Sequence, residues 1–522
     1  MCGIVGFSGQ KNSDLLGKML ESIKHRGPDG EGKYETENFS IGMRRLSIID
    51  PQTGWQPIWN EDQTVGIIMN GEIYNYQELW DTLISRGHKF RTDHSDTETV
   101  LHGYEEWGSE VLQKLRGMFA FCIIDLKSNE LFIARDRIGI KPLYYINHNN
   151  KVTFSSEIKA LLLDPAYEPK VNKSVLYEYL VYRTHDHRED TFFKGIKRLL
   201  PGHFMRINKS GNIIENKKYW NPEISLEFSS SKPDSEYANE LREELIDSIR
   251  HHVISDVPVG VLLSGGLDST GVACVMHKLM KDEGQDLHTK HLLTFSSVYP
   301  DDPMDERKYI DEVTKFIPVE DHYVEPTLDG FWKEIDNWIY TQEEPTISSA
   351  PYAIYSVMRE ASKYVKVMLS GQGGDELFAG YIPYFSSYLS SAKQSGKVLQ
   401  MLRESIQGFD LYYSYLKNKV KEKLSPNNDK LEMTILLNKD AFNISQDKKS
   451  FEYSIDKNLN QRLFQDLTMF SVPNEVRYED KNSMAFSVES RVPLLDHKLV
   501  EYVLKLPIDQ KIKYGWHRFV YR

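Results

Sequence analysis

The sequence predicts two domains of different fold class. The first is an α+β domain of antiparallel sheets with helices outside. The second is an α/β domain on a doubly wound parallel sheet with helical additions. Three observations carry this. The chain has 522 residues, too many for one ordinary core. Its first two hundred residues read as short β-rich runs broken by turn residues. After residue 235, apolar strands alternate with helical patterns, as parallel βα units require.

In chain order, residues 3–8, 65–69, 118–124, 130–135 and 151–155 predict strands, with turns at Asn129 and Asn149-Asn150. Apolar spacing predicts helices over 13–24, 76–86 and 96–107. The expected division is a first domain over 1–210, a linker over 211–234 and a second domain over 235–522. The stretch 221–234 is polar, lacks apolar periodicity and forms the body of the linker. Beyond it come a helix (236–252), an apolar strand (259–263), a glycine-rich loop and a helix (270–281). Strand 292–298, helices 306–316 and 352–363, strand 365–369 and a second glycine-rich loop follow. Residues 384–477 read as helical and charged, without visible chemistry.

The 64 basic and 76 acidic residues leave a net charge of −12. A non-specific nucleic-acid binder is usually basic, so no nucleic-acid partner is expected. No run approaches the ~18 apolar residues of a membrane span, so no membrane partner is expected either. The first ten residues lack the basic and apolar regions of a secretory signal. Three cysteines, Cys2, Cys122 and Cys274, are too few for a disulfide framework. Together these features point to a reducing compartment, the cytoplasm.

Cys2 directly follows the initiator methionine. A small second residue permits methionine removal, which would leave a free α-amine beside the thiol. That amine has an ordinary pKa of roughly 7.7–8 and can serve as the thiol's base. The apolar run Gly3-Ile4-Val5-Gly6 anchors this terminus in a sheet. Three polar clusters complete the picture: Arg44-Arg45-Leu46-Ser47-Ile48-Ile49, Asn70-Gly71-Glu72 and Ser95-Asp96-Thr97-Glu98. They supply a guanidinium for an α-carboxylate, a carboxylate for an α-amine and an amide donor for an oxyanion.

In the second half, Ser264-Gly265-Gly266-Leu267-Asp268-Ser269 follows a strand and opens a helix. Glycines admit a phosphate close to the backbone, and the helix N-terminus offers free N–H groups. The loop lacks the lysine of a P-loop; its aspartate suggests Mg²⁺ bridged to pyrophosphate. A second loop, Ser370-Gly371-Gln372-Gly373-Gly374-Asp375-Glu376, brings another carboxylate, so Asp268 and Asp375 are the predicted metal ligands.

The motifs Cys2-Gly3-Ile4, His25-Arg26-Gly27-Pro28-Asp29-Gly30, Arg45-Leu46-Ser47-Ile48, Asn70-Gly71-Glu72-Ile73-Tyr74-Asn75 and Ser95-Asp96, in this order, resemble the glutaminase domain of class II N-terminal-nucleophile amidotransferases. They are similar to glutamine-dependent asparagine synthetases in particular. The resemblance implies a layered αββα sandwich. It assigns Cys2 as nucleophile, Arg45 to glutamine's α-carboxylate, Asp96 and Glu72 to its amine, and Asn70 with the Gly71 amide to the oxyanion. Leu46, Ser47, Ile48 and Ile49 complete the implied glutamine pocket. The first glycine loop resembles the pyrophosphatase loop of ATP-dependent adenylating enzymes. By position, Leu263 and Ser297 would flank adenine, Ser264, Gly265, Gly266, Leu267, Asp268 and Ser269 would hold pyrophosphate, and Ser370 and Gly371 would meet AMP. Gln372 would touch the intermediate. The segment from Arg477 to Asp496 also matches, and suggests Lys481 as a catalytic cation.

The implied substrates are glutamine, ATP with Mg²⁺, and aspartate; the oligomeric state stays open, a homodimer being one option. Two features depart from the family. Gln372 stands where its members usually carry Glu, which keeps another acceptor in play, such as a uronic sugar or a peptide side chain. The sequence ends at Arg522, in what reads as a new helix from residue 514, where members normally continue.

Overall fold

The structure is a computed structural model that describes residues 2–409, 412, 413, 417 and 458–522. Its N-terminal half holds β1 (Gly3–Ser8), β2 (Gly30–Glu35), β3 (Phe39–Arg45), β4 (Ile58–Trp59), β5 (Val65–Ile73), β6 (Gly117–Asp125), β7 (Glu130–Arg135), β8 (Tyr144–His148), β9 (Lys151–Ser155), β10 (Ile196–Arg198), β11 (His203–Asn208) and β12 (Ile213–Lys218). They form two six-stranded antiparallel sheets, in the orders β10-β8-β9-β1-β3-β2 and β12-β11-β7-β6-β5-β4. Strand alternation builds the layers. Ile4, Ile41 and Phe154 of one sheet meet Ile68, Cys122 and Ile133 of the other. Val5 and Phe7, pointing the opposite way, pack on Leu16, Met19 and Leu20 of helix Ser13–Ser22. Ile67, Met69 and Phe119 pack on Val100 and Leu101 of helix Asp96–Trp107. The result is the expected αββα sandwich.

One boundary moves. Residues 213–218, expected in the linker, are β12, paired with β11 from His203↔Lys218 to Ile207↔Ile213. An edge strand with only its alternate residues half-buried carries too little apolar signal to read as a strand.

The second half contains β13 (Val259–Leu262), β14 (Leu292–Ser297), β15 (Val319–Val324), β16 (Val367–Leu369) and β17 (Glu489–Arg491), all parallel, in the order β15-β14-β13-β16-β17. From β13 the chain winds outward through β14, and from β16 it winds the other way to β17. The switch point therefore lies between β13 and β16, whose Val261 and Leu369 are paired. Ligands of such sheets bind beyond the strand C-termini at this point. Both glycine loops start there, side by side.

Of residues 384–477, helices Tyr384–Gln394, Val398–Gln407 and Leu459–Gln465 and the start of helix Val472–Met484 are described. A π-helical turn, Asp466–Phe470, is described as well, whereas residues 410, 411, 414–416 and 418–457 of that predicted helical region lie outside the described residues. The helix expected from residue 514 is replaced by a hairpin, β18 (Ile512–Lys513) and β19 (Trp516–His517), then a 3₁₀ turn. Tyr514 and Gly515 take φ of 55° and 77°, a left-handed pair that closes a hairpin and breaks a helix. No helix among the described residues is long and apolar enough to cross a membrane, and all three cysteines are free.

Buried ion pairs join the two halves. Arg26 donates to Asp480 at 2.8 and 3.0 Å and to Glu157 at 2.9 Å. Arg116 donates to Asp496 at 2.8 Å and to Asp247 at 2.7 Å. Burial works against the Asp496 charge, but the Arg116 guanidinium outweighs it and holds the carboxyl well below the usual range. Arg116→Met therefore strands a buried anion and should cost about 3–5 kcal/mol at pH 7, read from urea unfolding. A carboxyl depressed by folding contributes stability above its unfolded pKa. The gap between variant and wild type should thus narrow as pH falls below about 4.

Candidate active sites

Cys2 sits buried at the head of β1, its Sγ 4.0 Å from the Leu46 carbonyl. Its backbone nitrogen donates to Asn70 Oδ1 at 3.1 Å, and its carbonyl accepts from Arg26 Nε at 3.1 Å. Asn70 spends its oxygen on this contact. Its Nδ2, also buried, makes no hydrogen bond within the chain and remains a free donor beside the thiol. Gly71 follows with φ of 153°, and a Cβ there would lie 2.1 Å from the Met118 carbonyl, so no side chain fits.

Glu72 and Asp96 come together next to this donor. Asp96 Oδ2 accepts from the Ile73 amide at 2.9 Å, while Glu72 Oε2 has no partner in the chain. Burial, then the charges of Glu489 and Asp96, push Glu72 well up. Burial pushes Asp96 up to about 6. Two crowded carboxylates form a seat for a cation such as an α-ammonium. Burial also pushes the Cys2 thiol up, so this nucleophile needs a base.

The predicted pocket loop is present, with one difference. Arg45 turns its guanidinium onto the loop's own carbonyls, Pro51 at 3.0 Å and Asp50 at 2.6 Å, beneath the Trp55 ring. The Ser47 amide donates to Asp29 at 2.8 Å, and Ile48 and Ile49 are buried. The Ile48 carbonyl accepts from the Asp256 amide of the second half at 3.1 Å.

At the switch point a cavity of about 360 Å³ opens between the glycine loops. Leu263, Ser264, Gly266, Leu267, Asp268, Ser269, Ser297, Ser370, Gly371, Gln372 and Asp375 all line it. Gly265 shapes the loop without lining the cavity; its φ is 73°, and a Cβ would meet Tyr309 at 2.6 Å. Ser269 Oγ accepts from the Ser264 amide at 3.1 Å and clasps the turn. Helix Leu267–Asp282 starts at the cavity with no side-chain cap, leaving its first N–H groups for an anion.

Asp268 and Asp375 converge as predicted. Arg518, from the terminal hairpin, donates to Asp268 Oδ2 at 2.9 Å and also pairs with Asp375. Asp268 Oδ1 is buried without a partner, and burial pushes this carboxyl up to about 6. Two carboxylates already gathered around one cation, with an oxygen to spare, fit a divalent metal ion.

Lys481 is elsewhere. It is buried against Glu343, with Glu157 at 3.8 Å, and does not line the cavity. The cation at the cavity wall is Arg518, which the sequence reading missed because nothing in Tyr514-Gly515-Trp516-His517-Arg518 signals a phosphate site. Among the described residues, one further group could hold a metal: His88, His102 and Glu105. There His102 lies between Glu105 at 2.9 Å and Glu98 at 3.6 Å, so an imidazolium satisfies the cluster.

Strand β17 walls both sites. Arg491 donates to Glu489 at 2.6 Å and lies 4.0 Å from Glu72 of the thiol pocket. Ser490, pointing the other way, donates to Glu479 at 2.6 Å. The Arg491 carbonyl accepts from the Ser370 amide of the second glycine loop at 2.9 Å. Lys141 of the first half donates to the Ser490 carbonyl at 3.2 Å. The segment from Arg477 to Asp496 was noticed in the sequence, but its pairing across the two halves was not visible there.

Comparison with known proteins follows the same division. Residues 1–220 match the glutamine amidotransferase domain family, and residues 240–522 match the asparagine synthase family. Glutamine-hydrolysing asparagine synthetase 1 of Bacillus subtilis is 31% identical over 557 residues, covering 100% of this chain and 84% of its own length. Glutamine-hydrolysing asparagine synthetase 2 of the same organism is 32% identical over 554 residues, covering 100% of this chain and 69% of its own. A putative enzyme of the same name from Methanocaldococcus jannaschii is 34% identical over 418 residues, covering 74% of this chain and 77% of its own. Two family matches in this order, with relatives 31% and 32% identical along the whole chain, leave one conclusion: the chain belongs to the glutamine-hydrolysing asparagine synthetases.

Proposed function

We propose that the protein is an ATP-dependent carbon–nitrogen ligase that makes asparagine from aspartate, with glutamine as nitrogen donor. The observation that carries this is β17, which lies against the thiol pocket on one face and the cavity's neighbour Glu479 on the other. Three unpaired cysteines support a reducing, cytoplasmic setting.

In the first pocket, the α-amine of processed Cys2 takes the thiol proton, and the thiolate attacks the side-chain amide of glutamine. Asn70 Nδ2 and the Gly71 amide receive the oxyanion. Glu72 and Asp96 take the α-ammonium, and Arg45 is assigned to the α-carboxylate. Ammonia leaves, and water releases glutamate from the thioester. Transfer inside the protein keeps ammonia unprotonated, and so nucleophilic.

In the second cavity, the side-chain carboxylate of aspartate attacks the α-phosphorus of ATP. The amides of residues 264–269 hold the departing pyrophosphate, Leu263 and Ser297 flank adenine, and Ser370 and Gly371 meet AMP. Asp268 and Asp375 would hold Mg²⁺, which when bound offsets the charge of the phosphates. Ammonia attacks the acyl-adenylate, and asparagine and AMP leave. Lys481, held by Glu343, serves the junction between the halves in this reading rather than the phosphates.

Cys2→Ala should lower glutamine-dependent synthesis by roughly 10³-fold or more and leave ammonia-dependent synthesis within about twofold. Assays with each nitrogen source check this, and equal losses with both would defeat the division of labour. Asp268→Asn should cut AMP formation by roughly 10²-fold while glutamine hydrolysis persists, followed by pyrophosphate and glutamate release. Asp96 is neutral below its raised pKa of about 6 and then cannot pair with an α-ammonium. The KM for glutamine should therefore rise as pH falls through about 6, and Asp96→Asn should raise KM at pH 8 and flatten that profile.

A further inference from the structure

We propose that Glu479 is the base that takes the proton from ammonia as it attacks the acyl-adenylate. This rests on the synthetase reading above. Glu479 lies on helix Val472–Met484 and is 3% exposed. Its Oε1 accepts from Ser490 Oγ at 2.6 Å. Ser370 and Gln372, both lining the cavity, are the next side chains against the same carboxylate. Its Oε2 and the neighbouring Ser370 Oγ are buried and have no partner in good hydrogen-bond geometry, Ser370 and Gln372 only approaching the carboxylate. An unmatched carboxylate oxygen is expensive to bury, and this one lies directly behind Ser370 and Gln372, which line the cavity where the acyl-adenylate would form.

Its position also fits the path of ammonia. Glu489 and Arg491 face the glutamine pocket, Ser490 faces Glu479, and Lys141 of the first half reaches the Ser490 carbonyl. Glu479 therefore stands where the wall shared by the two sites meets the cavity.

The chemistry needs such a group. The ammonia lone pair forms the new C–N bond. The bond from the acyl carbon to the phosphate oxygen breaks, and its electron pair leaves with AMP. The attacking nitrogen carries one proton too many, which passes through the Ser370 hydroxyl at the cavity wall to Glu479 Oε2 and later to water. Gln372, on the loop itself, offers an amide and cannot hold that proton. Burial raises the proton affinity of Glu479, which suits it to receive one.

The test follows three reactions in wild type, E479Q and the exchanged pair Q372E/E479Q. They are asparagine synthesis from ammonia, aspartate-dependent ATP–pyrophosphate exchange, and glutamine hydrolysis. E479Q should lose synthesis by about 10²–10³-fold, the usual worth of a general base, with exchange retained within about threefold. The exchanged pair, with its carboxylate on the other side of the contact, should recover at least about tenfold of that loss. Synthesis by E479Q within about threefold of wild type overturns the proposal. So does a parallel loss of exchange, which would mean that Glu479 only holds the loop, and so does a pair that recovers nothing. A wild-type protein that makes no asparagine from aspartate overturns the functional reading itself and takes this proposal with it.

Discussion

Charge buried between the two halves is the constraint on which the rest of the molecule depends. Arg26, Arg116 and Arg491 are sealed from water, and each reaches at least one carboxylate across the junction. Such pairs add little net stability, because desolvation offsets attraction, but removing one partner is severe. They act as register marks. The docking that pairs Asp480 and Asp496 and brings Arg491 near Glu72 also lays β17 against the glutamine pocket.

The same constraint tunes the chemistry. In the thiol pocket, burial raises Cys2, Glu72 and Asp96, so each group waits for a partner the substrate brings. Glu489 belongs to the synthetase half, yet it is the largest charge acting on Glu72. The seat for the α-ammonium is thus built by both halves. In the nucleotide cavity Arg518 plays the opposite part, since it already pairs with the two carboxylates that would hold a metal.

How much could be read from sequence follows from the range of each interaction. Cys2, the Asn70-Gly71-Glu72 run and both glycine loops were legible, because a strand end and its loop are local features. Asp268 and Asp375 both follow glycine loops on neighbouring parallel strands, which is why they meet at Arg518. Strand β12 was hidden by its polar, half-exposed pattern. Arg26 and Asp480 each lie in a motif visible in the sequence, but 454 positions separate them and no local signal marks them as a pair. Arg518 and Glu479 escaped for the same reason. Lys481 lies apart from the cavity because its partner, Glu343, comes from the end of another helix, which its own neighbourhood in the sequence does not signal.

Strand β17 is three residues long, and its pleat separates two chemistries by a single position. Pairing with β16, from Val367↔Glu489 to Leu369↔Arg491, holds that phase. A slip of one residue would turn Ser490 toward the glutamine pocket and carry Glu489 and Arg491 to the nucleotide side. Loops around the sheet can absorb added or lost residues. This strand cannot, since an insertion or deletion of one residue would exchange the walls of both sites at once.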